Sequence, residues 1–306
     1  RVGHGLYQHV RSHQEREGFL MLAYDCDSPV VVAYGGGLNS TAMVIRWVKE
    51  SRRLDLVLFA DTGGERPETY EHIRRMSAWL VAHGAPPVVT VRYATREGEV
   101  ITLEDRCLAT KRLPSLAYGF KKCSLKFKRQ PQDKYVREWA PAQAAWEAGR
   151  KITKLIGYDA DEPHRYERAV RNYALDAASP KPSVDVRRYV YRYPLCDEWD
   201  MGREECQAVC AAEGFCNVPK SSCFFCPSTS NAEIYRMQDT QPELLQRALA
   251  IEANAENTTG SRGLGGQNRK WRDIIEQPRL FTEQEPPMAC DCYDGGWGDG
   301  TQQGVW

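Results

Sequence analysis

Through the first half of the chain, short unbroken apolar runs alternate with stretches in which apolar residues recur every three or four positions. Pro29–Tyr34 (PVVVAY) is β-branched, apolar and halted by three glycines, which predicts a strand covered on both faces. Ser40–Glu50 (STAMVIRWVKE) then spaces Met43, Val44, Trp47 and Val48 as a helix does, with Asn39 or Ser40 expected as its cap. Leu54–Ala60 (LDLVLFA) predicts a second strand, stopped by Asp61-Thr62-Gly63-Gly64. From Glu68 to about His83 a helix opened by Pro67 carries the stripe Tyr70, Ile73, Met76 and Leu80. Val88–Tyr93 (VVTVRY) reads as a third strand and Lys151–Tyr158 (KITKLIGY) as a later one. This alternation predicts an α/β fold, a doubly wound and mostly parallel sheet. Periodicity fades from Ser179 to Pro227, where prolines and cysteines intervene, and returns over Glu233–Ala255. The expected organisation is an α/β domain over 1–178, a smaller cysteine-containing, partly helical C-terminal region over 179–282, and a flexible Gly- and Pro-rich tail over 283–306.

Composition narrows the class without naming a partner. The 306 residues are 42% hydrophobic and 27% charged, as in ordinary globular proteins. Lysine plus arginine and aspartate plus glutamate number 41 each, so net charge offers no global argument for nucleic acid or membrane. No apolar run approaches the ~18 residues of a membrane span, and the first twenty residues lack the apolar centre of a signal peptide. A cytoplasmic protein with no membrane partner is expected. Its eleven cysteines are then mostly reduced, and their clustering points to metal or redox chemistry.

The glycines mark the first candidate site. In Tyr34-Gly35-Gly36-Gly37-Leu38-Asn39-Ser40-Thr41, successive glycines let backbone N–H groups converge on an anion, the helix start adds partial positive charge, and Ser40 and Thr41 add hydroxyls. The spacing is neither G-x-G-x-x-G nor G-x-x-x-x-G-K-S/T. A tight strand-to-helix turn is the plainer alternative. The loop resembles the S-G-G-x-D-S signature of the PP-loop ATP pyrophosphatases, with Gly35 in place of the first serine and Asn39 in place of the aspartate. That resemblance implies an adenine nucleotide α-hydrolase-like fold, ATP held through Tyr34, Gly35, Gly36, Gly37, Asn39, Ser40 and Thr41, and Mg²⁺ bridging its phosphates. A neutral amide at position 39 is a weaker Mg²⁺ ligand than a carboxylate.

Phe59-Ala60-Asp61-Thr62-Gly63-Gly64-Glu65-Arg66-Pro67-Glu68-Thr69-Tyr70 is similar to the signature of the phosphoadenylyl-sulfate (PAPS) reductase branch of that superfamily. The similarity implies that Asp61 and Thr62 attend the nucleotide, Asp61 orienting a ribose, metal or nucleophile at a strand end. Gly157, Glu162 and Arg165 fit a third family element, G-x-R-x-x-E-S-x-x-R, in which Asp159 stands in place of the arginine. An acid there is expected to repel a sulfate or 3′-phosphate, which argues against PAPS as substrate.

Cysteines mark the second candidate site. Cys223-Phe224-Phe225-Cys226-Pro227 is a C-x-x-C, half of a zinc site, half of an iron–sulfur site or a redox dithiol. Adenylyl-sulfate reductases of the superfamily hold a 4Fe–4S cluster through a Cys-Cys pair and a later C-x-x-C. Lys122-Cys123-Ser124-Leu125-Lys126 resembles the first region, with Lys122 in place of one cysteine. That resemblance implies Cys123, Cys223 and Cys226 as ligands, with Cys107 as candidate for the missing one and Zn²⁺ the alternative. Cys206, Cys210 and Cys216 form a competing set, while Cys26 and Cys196 are expected to act as small hydrophobes. Cys290 and Cys292 lie in the tail as either a mobile thiol or an incidental pair.

Locally, charge is not balanced. The segment 106–137 holds ten basic residues against one acid, Asp133, and Phe120 and Phe127 lie among them. This is either a phosphate-tracking surface for nucleic acid, a set of charges facing the nucleotide, or a solvated face. The expected activity is adenylation of an acceptor with pyrophosphate release, in the service of sulfur transfer from a donor protein and with a nucleic acid as candidate acceptor. Asn39, Ser40 and Asp61 are the expected catalytic residues. An adenylyl-sulfate or PAPS reductase using Cys290 or Cys292, and a nucleotide-sensing protein weakened by Asn39, are the alternatives.

Overall fold

A computed structural model describes residues 27–277. Five parallel strands form the centre, in the order β3-β2-β1-β4-β5: β1 Val30–Tyr34, β2 Leu56–Asp61, β3 Val88–Arg92, β4 Ile152–Leu155 and β5 Tyr189–Arg192. β1 pairs with β2 on one side (Val31 opposite Leu56) and with β4 on the other (Val31 opposite Lys154). The unbroken apolar run of β1 follows from this placement. Val30, Val32 and Tyr34 face one hydrophobic cluster, and Val31 turns to a second with Ala142 and Ile152.

Helices cover both faces: α1 Leu38–Lys49, α2 Pro67–Ala82, α3 Leu103–Thr110, then α4, α5 Ala140–Glu147 and α6 Pro163–Ala177. α4 runs through Lys122–Ser124, a π-type turn over Leu125–Arg129, and Gln130–Glu138, with Pro131, which has no N–H to donate, two residues past the widened turn. The stretch that lacks periodicity folds into short pieces: α7 Val184–Arg188, the edge strand β5, α8 Pro194–Asp197 and α9 Arg203–Ala212. Each is too short for a repeat to declare itself. Glu233–Ala255 is two helices, α10 Asn231–Thr240 and α11 Pro242–Thr259, divided where Pro242 cannot continue the first. α12 Trp271–Glu276 follows a two-residue hairpin. Buried Glu252 of α11 ties these together by accepting the backbone N–H groups of Leu264, Trp271 and Arg272.

The hydrophobic clusters cut across residue 178. Cys206, Cys210 and Phe215 pack with β1 and α1, whereas Leu103, Cys107 and Phe127 pack with Phe224, Phe225 and Trp271. Among the described residues, no helix is long and apolar enough to cross a membrane. The tail beyond 277, with Cys290 and Cys292, and residues up to Cys26 lie outside the described residues.

Candidate functional site

From β1 the chain moves outward to β2 and β3 on one side, and β4 begins the other side, so the strand order reverses between β1 and β4. Open parallel sheets bind ligands at the carboxyl ends of their strands at such a point. The glycine loop leaves β1 there, and Gly157 follows β4.

Two of these glycines are sterically required. Gly36 has φ +76°, and a Cβ on it would meet Ile73 Cδ1 at 2.8 Å. A Cβ on Gly157 would stand 2.9 Å from both the backbone N and Cα of Ser40, so the strand end and helix start could not approach as they do. α1 begins at Leu38 with Gly37 as its cap, not Asn39 or Ser40, and no side chain caps it. Its first amides are thereby left for another acceptor. They open, with Gly35 and Gly37, into a cleft of about 170 Å³ whose opposite wall holds Gly157, Glu162 and Arg165.

Several expected residues have other work. Thr41 is fully buried below the loop, where its hydroxyl bonds Gly37 O (2.9 Å) and lies 2.9 Å from both Tyr34 Oη and His72 Nε2. Tyr34 Oη is also 3.0 Å from His72 Nε2, so only the rest of Tyr34 can line the cleft. Burial, aided by Arg75, pulls the His72 pKa down to about 4. Ser40 lines the cleft and its hydroxyl donates to Gly37 O (3.0 Å).

Asp61 does not line the cleft. One of its oxygens accepts from Gly63 N and Tyr70 Oη, both at 2.8 Å, and the other from the Arg92 guanidinium at 2.7 and 2.9 Å. It fixes the turn after β2. Thr62 faces away from the loop and reaches the thiols. Arg165 donates to both oxygens of Glu162 (2.8 and 3.0 Å) and stacks over Tyr158, so much of its charge is already met.

The two departures from the family signature meet each other. Asn39 Nδ2 donates to Asp159 Oδ2 at 2.8 Å. Asp159 is 3% exposed and does not line the cleft, so the repulsion of an anionic ligand expected from this acid is not what its position delivers. Burial, then Glu162 and Asp161, raises its pKa. Asn39 Oδ1 and Asp159 Oδ1 are both buried without a hydrogen-bond partner. Two such oxygens in one pair suit a hard cation such as Mg²⁺.

Of the basic segment, Lys128 of α4 faces the cleft, one of the alternatives its sequence left open, while Arg203 of α9 and Lys220 were missed. All three join Arg165 and Glu162 in the lining, and Lys220 also pairs with buried Glu233 at 3.0 Å. Ser221 comes so close to the loop that a Cβ on Gly37 would stand 3.3 Å from its hydroxyl. The run Lys220-Ser221-Ser222 before the C-x-x-C was the available signal.

The expected metal ligands share one buried cluster, Cys123 at its margin. Cys123, Cys223 and Cys226 line a small hollow with Thr62 and Phe225. Burial, reinforced by Cys123, pushes the Cys107 thiol up to about 12, and burial and then Glu65 push Cys223 well above its ordinary value. These four soft donors suit a thiolate-bound metal once their protons are displaced. Among the described residues, however, no three His, Cys, Asp or Glu side chains are grouped closely enough to hold one ion. Cys206 and Cys210 are fully buried on the face of α9 against α1, and Cys216 is exposed, so that set does not converge. Cys196, half-buried, donates weakly to the carbonyls of Tyr158 and Asp159.

The two hollows are joined. Thr62 Oγ1 lies 3.1 Å from Cys223 Sγ and 3.4 Å from Glu65 Oε1, Glu65 lies 3.6 Å from Lys128 Nζ, and Lys128 lines both hollows. No family model and no curated protein sequence matches the chain.

Proposed function

We propose that the chain is an ATP-dependent enzyme of the PP-loop type, which adenylates an acceptor and releases pyrophosphate in preparation for sulfur transfer. The observation that carries this reading is the uncapped start of α1 beside three glycines at the sheet's switch point, with Lys128, Arg165, Arg203 and Lys220 in the lining, the first, second and fourth of them also paired with Glu65, Glu162 and Glu233. Such a site favours a polyanion with several phosphates over a singly charged ligand.

An acceptor oxygen attacks the α-phosphorus, its bond to phosphorus forms, and the bond to the pyrophosphate oxygen breaks. Charge growing on the departing pyrophosphate is met by loop amides and the cleft lysines, a preorganised electrostatic contribution. Asn39, which lines the cleft, would offer Oδ1 to Mg²⁺, with Asp159 orienting its amide from behind. A sulfur nucleophile then displaces AMP from the activated acceptor. Cys107, Cys123, Cys223 and Cys226 share one buried cluster without converging on an ion site among the described residues, so the sulfur step is routed through no metal there. The thiol hollow meets the nucleotide cleft at Lys128, which supports one coupled reaction.

Pyrophosphate release measured with ATP, Mg²⁺ and candidate acceptors tests the reading. Acceptor-dependent release is expected. A second reading, a nucleotide sensor, is favoured by the engagement of the Asn39 amide with Asp159. It predicts tight ATP binding without pyrophosphate release under every acceptor condition.

A further inference from the structure

The basic segment divides in two on folding, and only one part is used by the fold. Lys128 pairs with Glu65, and Arg129 with Asp133 and Asp185 (3.1 and 3.0 Å). Phe127 is buried against Tyr93 and cannot stack on a ligand. On the opposite face of α4, Lys122, Lys126 and Lys134 recur at multiples of four residues and line an open surface hollow of about 790 Å³. Arg96, from the loop after β3, completes it.

Among the described residues, none of Arg96, Lys122, Lys126 and Lys134 is in an ion pair, and no acidic side chain lines the hollow. Glu97 and Glu99 belong to the same loop without lining it, and Asp133 is held by Arg129 and Lys154. Like charges four apart on a helix oppose its formation by a few tenths of a kcal/mol, a cost this face leaves unanswered internally. Beside the stripe stand exposed apolar groups, Phe120 at 43% and Leu125 at 40%, and Lys122 Nζ lies 5.6 Å from the Phe120 ring.

We infer that this face of α4, with Arg96 and Phe120, docks a single-stranded nucleic acid. A row of uncompensated cations follows a phosphate backbone, and an exposed ring offers a base a stacking surface. An acidic peptide would use the charges but give the ring no flat partner. The role of the strand as acceptor rests on the proposed adenylation, whereas the docking itself does not. α4 gives the two functions one support, since Lys128 and Gln132 on its other side line the nucleotide cleft.

The test is fluorescence anisotropy of labelled homopolymeric DNA and RNA strands with the full chain, as a function of salt. Wild type is expected to bind with steep salt dependence. Lys122→Glu with Lys126→Glu should weaken binding at least about tenfold and lower the salt slope by about two. Phe120→Ala should cost about fivefold or more through lost stacking, and Lys111→Glu, on the neighbouring loop, should change little. Calorimetric ATP affinity of the double variant should equal that of wild type. Failure of wild type to bind a strand, binding that the double variant retains, or equally tight and equally Lys122- and Lys126-dependent binding of polyglutamate would each overturn the inference. Absent ATP binding beside normal strand binding would instead sink the proposed adenylation and leave the docking surface standing.

Discussion

The glycine-loop cleft and the thiol hollow are neighbours built on opposite principles. The cleft is made largely of backbone: glycine amides and a helix start at the ends of β1 and β4, open to solvent and ringed by cations. The hollow is made of side chains, with Cys123 and the Cys223–Cys226 pair brought from separate segments into largely apolar surroundings and Cys107 in the same buried cluster. Backbone sites tolerate changes of side chain around them and fail when a Cβ intrudes. Side-chain sites depend on long-range packing and fail when that packing loosens. The segment Asp61–Glu65 serves both, since Asp61 sets the turn while Thr62 touches Cys223.

The largest effect should come from loosening the thiol side. The Phe225 ring is fully buried, and a Cβ on Gly64 would lie 2.6 Å from it. Phe225→Ala should cost about 3–5 kcal/mol in denaturant unfolding. Because Phe224 N donates to Gly64 O across the junction, sheet and thiol region should still unfold in one transition. Two separated transitions would show that the regions are more independent than their contacts imply.

Below the glycine loop, His72 should make the cleft acid-sensitive. Its pKa is about 4 when folded, through burial and then Arg75, and ordinary when unfolded. A depressed value means that its contribution is present above about pH 6.5 and is lost as pH falls toward 4, about 3 kcal/mol in all. His72→Gln should flatten stability over that window. An unchanged pH profile would remove the Tyr34–Thr41–His72 group from the account.

A smaller and more specific effect is expected at the paired departure. Asn39→Asp replaces a donor with a second acid beside Asp159 and should cost about 1–3 kcal/mol near neutrality. The loss should fade at acid pH, because burial already raises the Asp159 pKa and protonation restores a donor. Adding Asp159→Asn reverses the pair and should recover most of the stability. A double variant no better than Asn39→Asp would show that the two residues are not coupled.

The contrast also explains what could be read in advance. The runs Pro29–Tyr34 and Leu54–Ala60 declared buried strands because both sheet faces are covered, and the glycines announced a close backbone approach because no other residue permits one. β5 did not declare itself, being four residues long, half-buried and preceded by a five-residue helix. Arg203 and Lys220 were hidden for another reason. Each arrives at the cleft from a different element, and nothing local distinguishes a lysine bound inward from one facing water. Phe127 and Phe120 illustrate the same limit, since seven residues apart in one basic run, one is core and the other exposed. Asn39 and Asp159 stand 120 positions apart in the chain, and only the fold brings them to 2.8 Å.

Parallel calorimetric titrations of ATP, AMP and adenosine, each with Mg²⁺, into wild type and Ser40→Ala test the central claim most directly. A polyphosphate-gripping loop predicts affinity that rises with phosphate number, ATP binding well and adenosine scarcely. Loss of the Ser40 hydroxyl should weaken ATP by roughly 1 kcal/mol without shifting the thermal transition appreciably. Adenosine binding as tightly as ATP, or no heat from any of the three, would contradict the claim that these glycines hold phosphates.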